Sequence, residues 1–217
     1  MRCERRGICY TCPMPAWLFT IPALHLAAFL IAYLLGSIPF GYVLTRLSGG
    51  GDIRAVGSGN IGATNVLRTG AKGLAAATLL LDIAKGALAV WIGSHPQFVG
   101  GETYAAAGVL IGHLYPVWLK FNGGKGVATL LGILIVLLPI AGLIYALVWV
   151  GLLLLIRISS VAGIAAALNA PVTAAIIGAK HFFPMLLGFA LLVVWKHRAN
   201  IARLKAGTEP AIGKSKG

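Results

Sequence analysis

Three stretches of this chain concentrate residues able to hold an anion. The first reads Gly51-Asp52-Ile53-Arg54-Ala55-Val56-Gly57-Ser58-Gly59-Asn60-Ile61-Gly62-Ala63-Thr64-Asn65-Val66-Leu67-Arg68. Glycines let successive backbone N–H groups converge on one anion, as in nests and at helix N-termini. Ser58, Asn60, Thr64 and Asn65 add side-chain donors, and the forks of Arg54 and Arg68 suit phosphate. Gly57-x-Gly59-x-x-Gly62 also matches a dinucleotide fingerprint, but that motif needs a preceding strand and a βαβ unit. The second stretch is Gly123-Gly124-Lys125-Gly126-Val127-Ala128-Thr129. It is no Walker A loop, because Gly126 stands where that loop places its magnesium-binding Ser or Thr. Lys125 among glycines at a helix start is still a second cradle, with Gly124, Gly126 and Thr129 around it. In the third, His197, Asn200 and Arg203 share one helical face at i, i+3 spacing, beside Arg198 and Glu209.

The segments that carry these stretches are membrane helices. Of 217 residues, 59% are hydrophobic and 11% charged, against about 25% charged in ordinary soluble domains. So small a globule could not bury that excess, because it leaves roughly a quarter to a third of its surface exposed. Disorder is excluded by the same hydrophobicity. A span needs about 20 apolar residues. Trp17 to Leu35 (its helix running on toward Thr45), Leu74 to Gly93, Tyr104 to Phe121, Ser159 to Gly178 and Phe182 to Trp195 supply five segments. Val127 to Ile156 supplies two more, divided at Pro139 and Gly142. The expectation is an all-α, polytopic transmembrane bundle of about seven segments. Five full spans with re-entrant pieces is the alternative. Small residues throughout favour close helix packing. Ionisable groups inside such helices face a partner or a polar cavity, so Asp82 and Lys85, at i and i+3, either neutralise each other or line a site. His113 stands equally between packing and function, and Ser37 near the first loop is a further candidate.

The net charge of +13 follows the same plan. Lys and Arg collect on alternate connections, and the basic side of a membrane protein is cytoplasmic. That puts the N-terminus outside and the C-terminus in the cytoplasm. It also removes nucleic acid from the readings that a basic chain invites. Arg2, Arg5 and Arg6 would then lie on the wrong side, so residues 1–13 are read as a dispensable or mis-assigned tail. Residues 14–210 form one membrane domain, and 211–217 a basic tail. All three cysteines, Cys3, Cys9 and Cys12, fall in the first tail, which leaves no disulfide framework or thiol nucleophile in the body. The Cys9-x-x-Cys12 pair lacks further ligands, and no metal site or cofactor is expected.

The ordered motifs resemble the bacterial acyl-phosphate:glycerol-3-phosphate acyltransferases, the PlsY family. The matching stretches are Gly36-Ser37-Ile38-Pro39-Phe40-Gly41, Asp52-Ile53-Arg54 through Arg68, Gly112-His113 to Pro116, Gly123 to Thr129, and His197-Arg198 through Glu209. The resemblance covers Met14 to about Pro210. It implies a multi-pass protein of the bacterial inner membrane, acting at the cytoplasmic face in phospholipid biosynthesis. The implied reaction moves a fatty acyl group from acyl phosphate to the 1-hydroxyl of sn-glycerol 3-phosphate, giving lysophosphatidic acid and phosphate. Ser58, Arg68 and Lys125 would contact phosphate, with Gly59 and Asn60 beside them, while His197 and Asn200 would orient the acceptor. The implied partners are these two small molecules and membrane lipid, with a monomer the simplest assembly. A mixed anhydride is already activated, so no covalent enzyme intermediate is needed, and none of the five histidines has an Asp five positions on to act as its pair. Two other classes compete: a transporter of a phosphorylated metabolite, which would place its ligands at the bilayer midplane, and a non-catalytic lipid anchor, which would not need the glycine spacing.

Overall fold

A computed structural model describes residues 17–56 and 58–212. The expectations for the N-terminal tail and its cysteines, for Gly57 and for most of the basic C-terminal tail lie outside them. Ten α-helices follow in order among the described residues: α1 (Trp17–Gly36), α2 (Phe40–Leu47), α3 (Ala63–Arg68), α4 (Lys72–Gly93), α5 (Gly101–Leu114), α6 (Val127–Leu137), α7 (Pro139–Ile156), α8 (Ser159–Ile176), α9 (Phe183–Lys196) and α10 (Arg198–Lys205). No strand occurs among the described residues. The run Pro22–Leu47 and helices α4, α7 and α8 are each long and apolar enough to cross a membrane, and α9 with α10 makes a fifth if that 57° bend is counted within one span. Helix α6, at 11 residues, is about 16 Å long and short of the hydrocarbon thickness.

Proline decides where the apolar runs break. The first segment stops at Gly36 and resumes at Phe40 around Pro39, which has no N–H for a helical bond. The third was expected to reach Phe121 but ends at Leu114. Tyr115 precedes Pro116 and is pushed out of the helical region, to φ −137° and ψ 62°. The long fourth run divides at Leu138–Pro139, as expected and for the same reason, and α7 then continues through Gly142.

Close packing rests on small residues. A Cβ on Gly132 of α6 would overlap the Ile83 carbonyl of α4, and one on Gly86 of α4 would overlap the Thr129 carbonyl of α6. Gly108 and Gly112 of α5 meet the α1 carbonyls of Phe29 and Tyr33 in the same way. The main core alternates Ala105, Ala106, Ala166, Ala167, Ala170 and Ala174 with Leu110, Leu130, Leu134 and Leu186. Outward positions such as Leu80, Trp91, Leu143, Leu154, Ile176 and Leu191 are apolar and exposed, as a lipid-facing surface demands. A second, small cluster of Ile53, Ile61, Val66, Ala75 and Leu119 anchors the glycine-rich connection between α2 and α3 on the bundle.

Candidate active site

The three motifs meet in a cavity of about 80 Å³. Ser58, Asn60, Thr64 and Arg68 come from the first connection and α3. Lys125, Gly126, Val127 and Ala128 come from the start of α6, Ser159 and Ser160 from the start of α8, and His197 and Asn200 from the α9–α10 bend. The N-terminal turns of α6 and α8 therefore line one space, and helix N-termini, with their unpaired N–H groups, attract anions. Leu79, Val127 and Trp149 give part of the wall an apolar character.

Each polar side chain has a local reason for its place. Asn65 is buried and fully used: its Oδ1 accepts from Ser58 N at 2.9 Å, and its Nδ2 donates to the carbonyls of Ile53 and Val56 at 3.0 and 2.9 Å. The expectation that Asn65 donates to phosphate gives way: both its N–H groups are spent on shaping the loop that presents Ser58. Gly126 starts α6 at φ 87°, a conformation open to glycine, and a Cβ there would press on Leu110. Lys125 Nζ, turned inward by that start, donates to Asn200 Oδ1. Burial pulls its pKa from 10.5 down to about 8; Glu209 opposes this, and the charges of Arg203, Arg68 and Lys196 reinforce it.

Glu209 ties the far side together. Its Oε1 accepts from Ser160 Oγ at 2.8 Å and Asn200 Nδ2 at 2.6 Å, and its Oε2 accepts from Arg203 Nε at 2.7 Å. Burial pushes this carboxyl up, but the Asn200, Ser160 and Arg203 donors outweigh it and hold the pKa below the usual value. Arg203 is thus a holder of Glu209 rather than a lining residue. The segment beyond passes over Arg68, whose guanidinium reaches the Pro210 carbonyl at 3.5 Å, and Ile212 N donates to the Arg157 carbonyl at 2.7 Å.

His197 sits at the bend, not within one continuous helix. Its ring Nδ1 lies 2.8 Å from the Val193 carbonyl. A carbonyl only accepts, so Nδ1 carries the proton and Nε2 keeps a free lone pair.

Other expected residues lie elsewhere. Arg54 is outside the cavity: its fork is taken by Asp52 (2.6 Å) and it stacks over Tyr42, holding the Asp52 carboxyl down to about 2. Gly59 is exposed, and Ser37 and Thr129 are buried; none of the three is among the lining residues. Arg198 points outward onto Trp195. Gly124 is buried against His113. Asp82 and His113 line the inner end of the cavity, whereas Lys85 stands behind Asp82. The sequence reading missed Ser159, Ser160 and Trp149. The adjacent serines opening an apolar helix just after Arg157 were the available signal.

Fold and cavity together define a helical integral membrane protein with a chamber at its helix ends lined by cationic and hydroxyl side chains. The profile of the family described as glycerol-3-phosphate acyltransferase matches residues 26–207. A glycerol-3-phosphate acyltransferase of Erythrobacter litoralis is 53% identical over 186 residues, covering 86% of this chain and 94% of that one. Glycerol-3-phosphate acyltransferase 1 of Rhizobium johnstonii is 50% identical over 200 residues, covering 91% and 96%. The crystal structure of PlsY (YgiH), an integral membrane glycerol 3-phosphate acyltransferase, superposes in its glycerol 3-phosphate form with a TM-score of 0.82 at 38% identity, covering 87% of this chain and 96% of that one. Its lysophosphatidic acid form gives 0.80 at 36%, covering 87% and 95%. The chain belongs to the glycerol-3-phosphate acyltransferase family.

Proposed function

We propose that the protein transfers a fatty acyl group from acyl phosphate to the 1-hydroxyl of sn-glycerol 3-phosphate, releasing lysophosphatidic acid and inorganic phosphate. The observation that carries this reading is the convergence of Lys125, Arg68, Ser58 and two helix N-termini beside His197 and Asn200. Both substrates bring a phosphate, and the cavity offers donors from two separate glycine-rich starts. Leu79, Val127 and Trp149 provide the side along which an acyl chain enters from lipid.

The acceptor hydroxyl oxygen attacks the carbonyl carbon of the anhydride. A C–O bond to glycerol forms, the C–O bond to phosphate breaks, and phosphate leaves with the electron pair. The hydroxyl proton passes to a substrate phosphate oxygen or to the free Nε2 of His197. Lys125, Arg68 and the helix N-termini neutralise charge on the phosphates, while Asn200 fixes the Lys125 ammonium. Positioning and charge stabilisation then supply most of the acceleration.

In this reading the seven apolar helices α1, α4, α5, α6, α7, α8 and α9 are the membrane passes, with α6 a short one. An odd number of passes puts the termini on opposite sides, and taking the basic cavity end as the cytoplasmic face leaves the C-terminus in the cytoplasm and the N-terminus outside. The α4–α5 connection at the other end carries no Lys or Arg, and the α8–α9 connection carries Lys180. This bias supports the orientation, and bacterial relatives support the inner membrane as its location. The simplest assembly is a monomer.

The test is phosphate release from acyl phosphate by the purified protein, with and without glycerol 3-phosphate. Release should require the acceptor, and acyl-CoA or acyl-carrier protein should not replace the donor. Acceptor-independent release, or equal use of acyl-CoA, would refute the proposal.

A further inference from the structure

A buried polar group borders the cavity and is not used by the chemistry above. Lys85 Nζ is 2.8 Å from Asp82 Oδ1 and donates to the Ile38 carbonyl, 2.9 Å away at the α1–α2 break. The Lys85 and Asp82 side chains are 1% and 5% exposed. Asp82 Oδ1 is 3.6 Å from Nδ1 of His113 on α5, and that nitrogen has no hydrogen-bond partner. The separation is too long for a hydrogen bond, so the carboxylate and the ring meet as packed neighbours.

The other side of the same ring meets the lysine loop. A Cβ on Gly124 would coincide with the His113 imidazole, at its Nε2 edge. Gly124 N donates to the His113 carbonyl at 3.0 Å and Gly123 N to the Leu114 carbonyl at 3.2 Å. A Cβ on Gly123 would overlap the His113 carbonyl and the Pro116 ring. The backbone on the N-terminal side of Lys125 therefore lies flat on His113. On its other side, Lys125 is fixed by the left-handed Gly126 and by Asn200.

We propose that His113, packed between Asp82 and the glycine backbone, is a positioning residue for Lys125: the ring sets the height of the Gly123–Gly124 backbone and so the point the ammonium reaches. Lys85 neutralises Asp82 and ties the assembly to the α1–α2 break. This inference rests on the reading of Lys125 as a phosphate ligand. It gives Gly124 a reason beyond anion approach: that position has to admit the imidazole.

The test measures KM and kcat for glycerol 3-phosphate, the affinity for inorganic phosphate, and the ligand-free melting temperature. In His113→Ala, kcat/KM should fall on the order of 10- to 100-fold, chiefly through KM, because small misplacements of a binding group cost that much. Phosphate affinity should weaken in parallel. Asp82→Asn should move KM in the same direction and less. Gly124→Ala should raise KM in the natural background, where its methyl meets the ring, and lower KM in the His113→Ala background, where the methyl fills the vacated space. That reversal of sign is specific to the contact, and a merely structural histidine would not produce it. Where His113→Ala does not fold, His113→Asn carries the same measurements. An unchanged KM in the folded variant, or damage from Gly124→Ala added to that of the His113 variant, would overturn the proposal. Absence of any acceptor-dependent turnover in the natural protein would instead refute the functional reading.

Discussion

Raising the pH should expose the cost of burying Lys125. Its pKa is lowered from 10.5 to about 8, a penalty of ~3 kcal/mol on the charged form at ~1.4 kcal/mol per unit. A bound phosphate dianion offsets that penalty and returns the pKa toward its ordinary value. At about pH 9 the empty site then holds roughly a tenth of its Lys125 charged, and the occupied site nearly all of it. Binding of glycerol 3-phosphate should take up close to one proton at about pH 9 and about a tenth of one at about pH 7. Affinity should fall about tenfold per pH unit from about 8 to about 10.5. Titration calorimetry in buffers of different ionisation enthalpy reads the uptake directly, and Lys125→Met should abolish it. The ligand-free protein should behave in the opposite sense. Its unfolded state binds more protons than the folded one between about 8 and 10.5, so Lys125 makes stability rise with pH across that window. Proton-neutral binding at about pH 9 by the natural protein would refute the reasoning.

The remaining expectations separate lining residues from their supports. Arg68→Ala should raise KM for glycerol 3-phosphate by an order of magnitude or more, whereas Arg54→Ala, removed from the cavity by Asp52, should leave kcat/KM within about twofold; equal losses in both would contradict the placement of Arg54. Glu209→Gln keeps the shape but loses the charge on which Ser160, Asn200 and Arg203 converge. It should cost about 2 kcal/mol in thermal unfolding. Because the folded carboxyl is depressed, that difference should be full near neutrality and close as pH falls through the lowered value. Turnover in His197→Ala and Asn200→Ala should fall by about 10²-fold or more in protein that remains folded, and near-normal rates in both would remove them from the reaction.

Much of this protein was legible in its residues. Composition and 20-residue apolar runs determined an all-helical membrane protein, because lipid leaves the backbone few other ways to satisfy its hydrogen bonds. Glycines beside Ser58, Arg68 and Lys125 marked the stretches that meet in one cavity. The sequence could not say which donors were free. Asn65 and Arg54 carry phosphate-binding chemistry, but Ile53, Val56 and Asp52 consume it, and only the folded chain shows those partners. Nor could spacing bring Ser160 to Glu209, 49 residues on, or lay Gly124 on His113. Local patterns specify elements because backbone hydrogen bonds and proline geometry act over a few residues. The site was decided by packing, in which the lone pairs and N–H groups left over from holding the fold are those left for substrate.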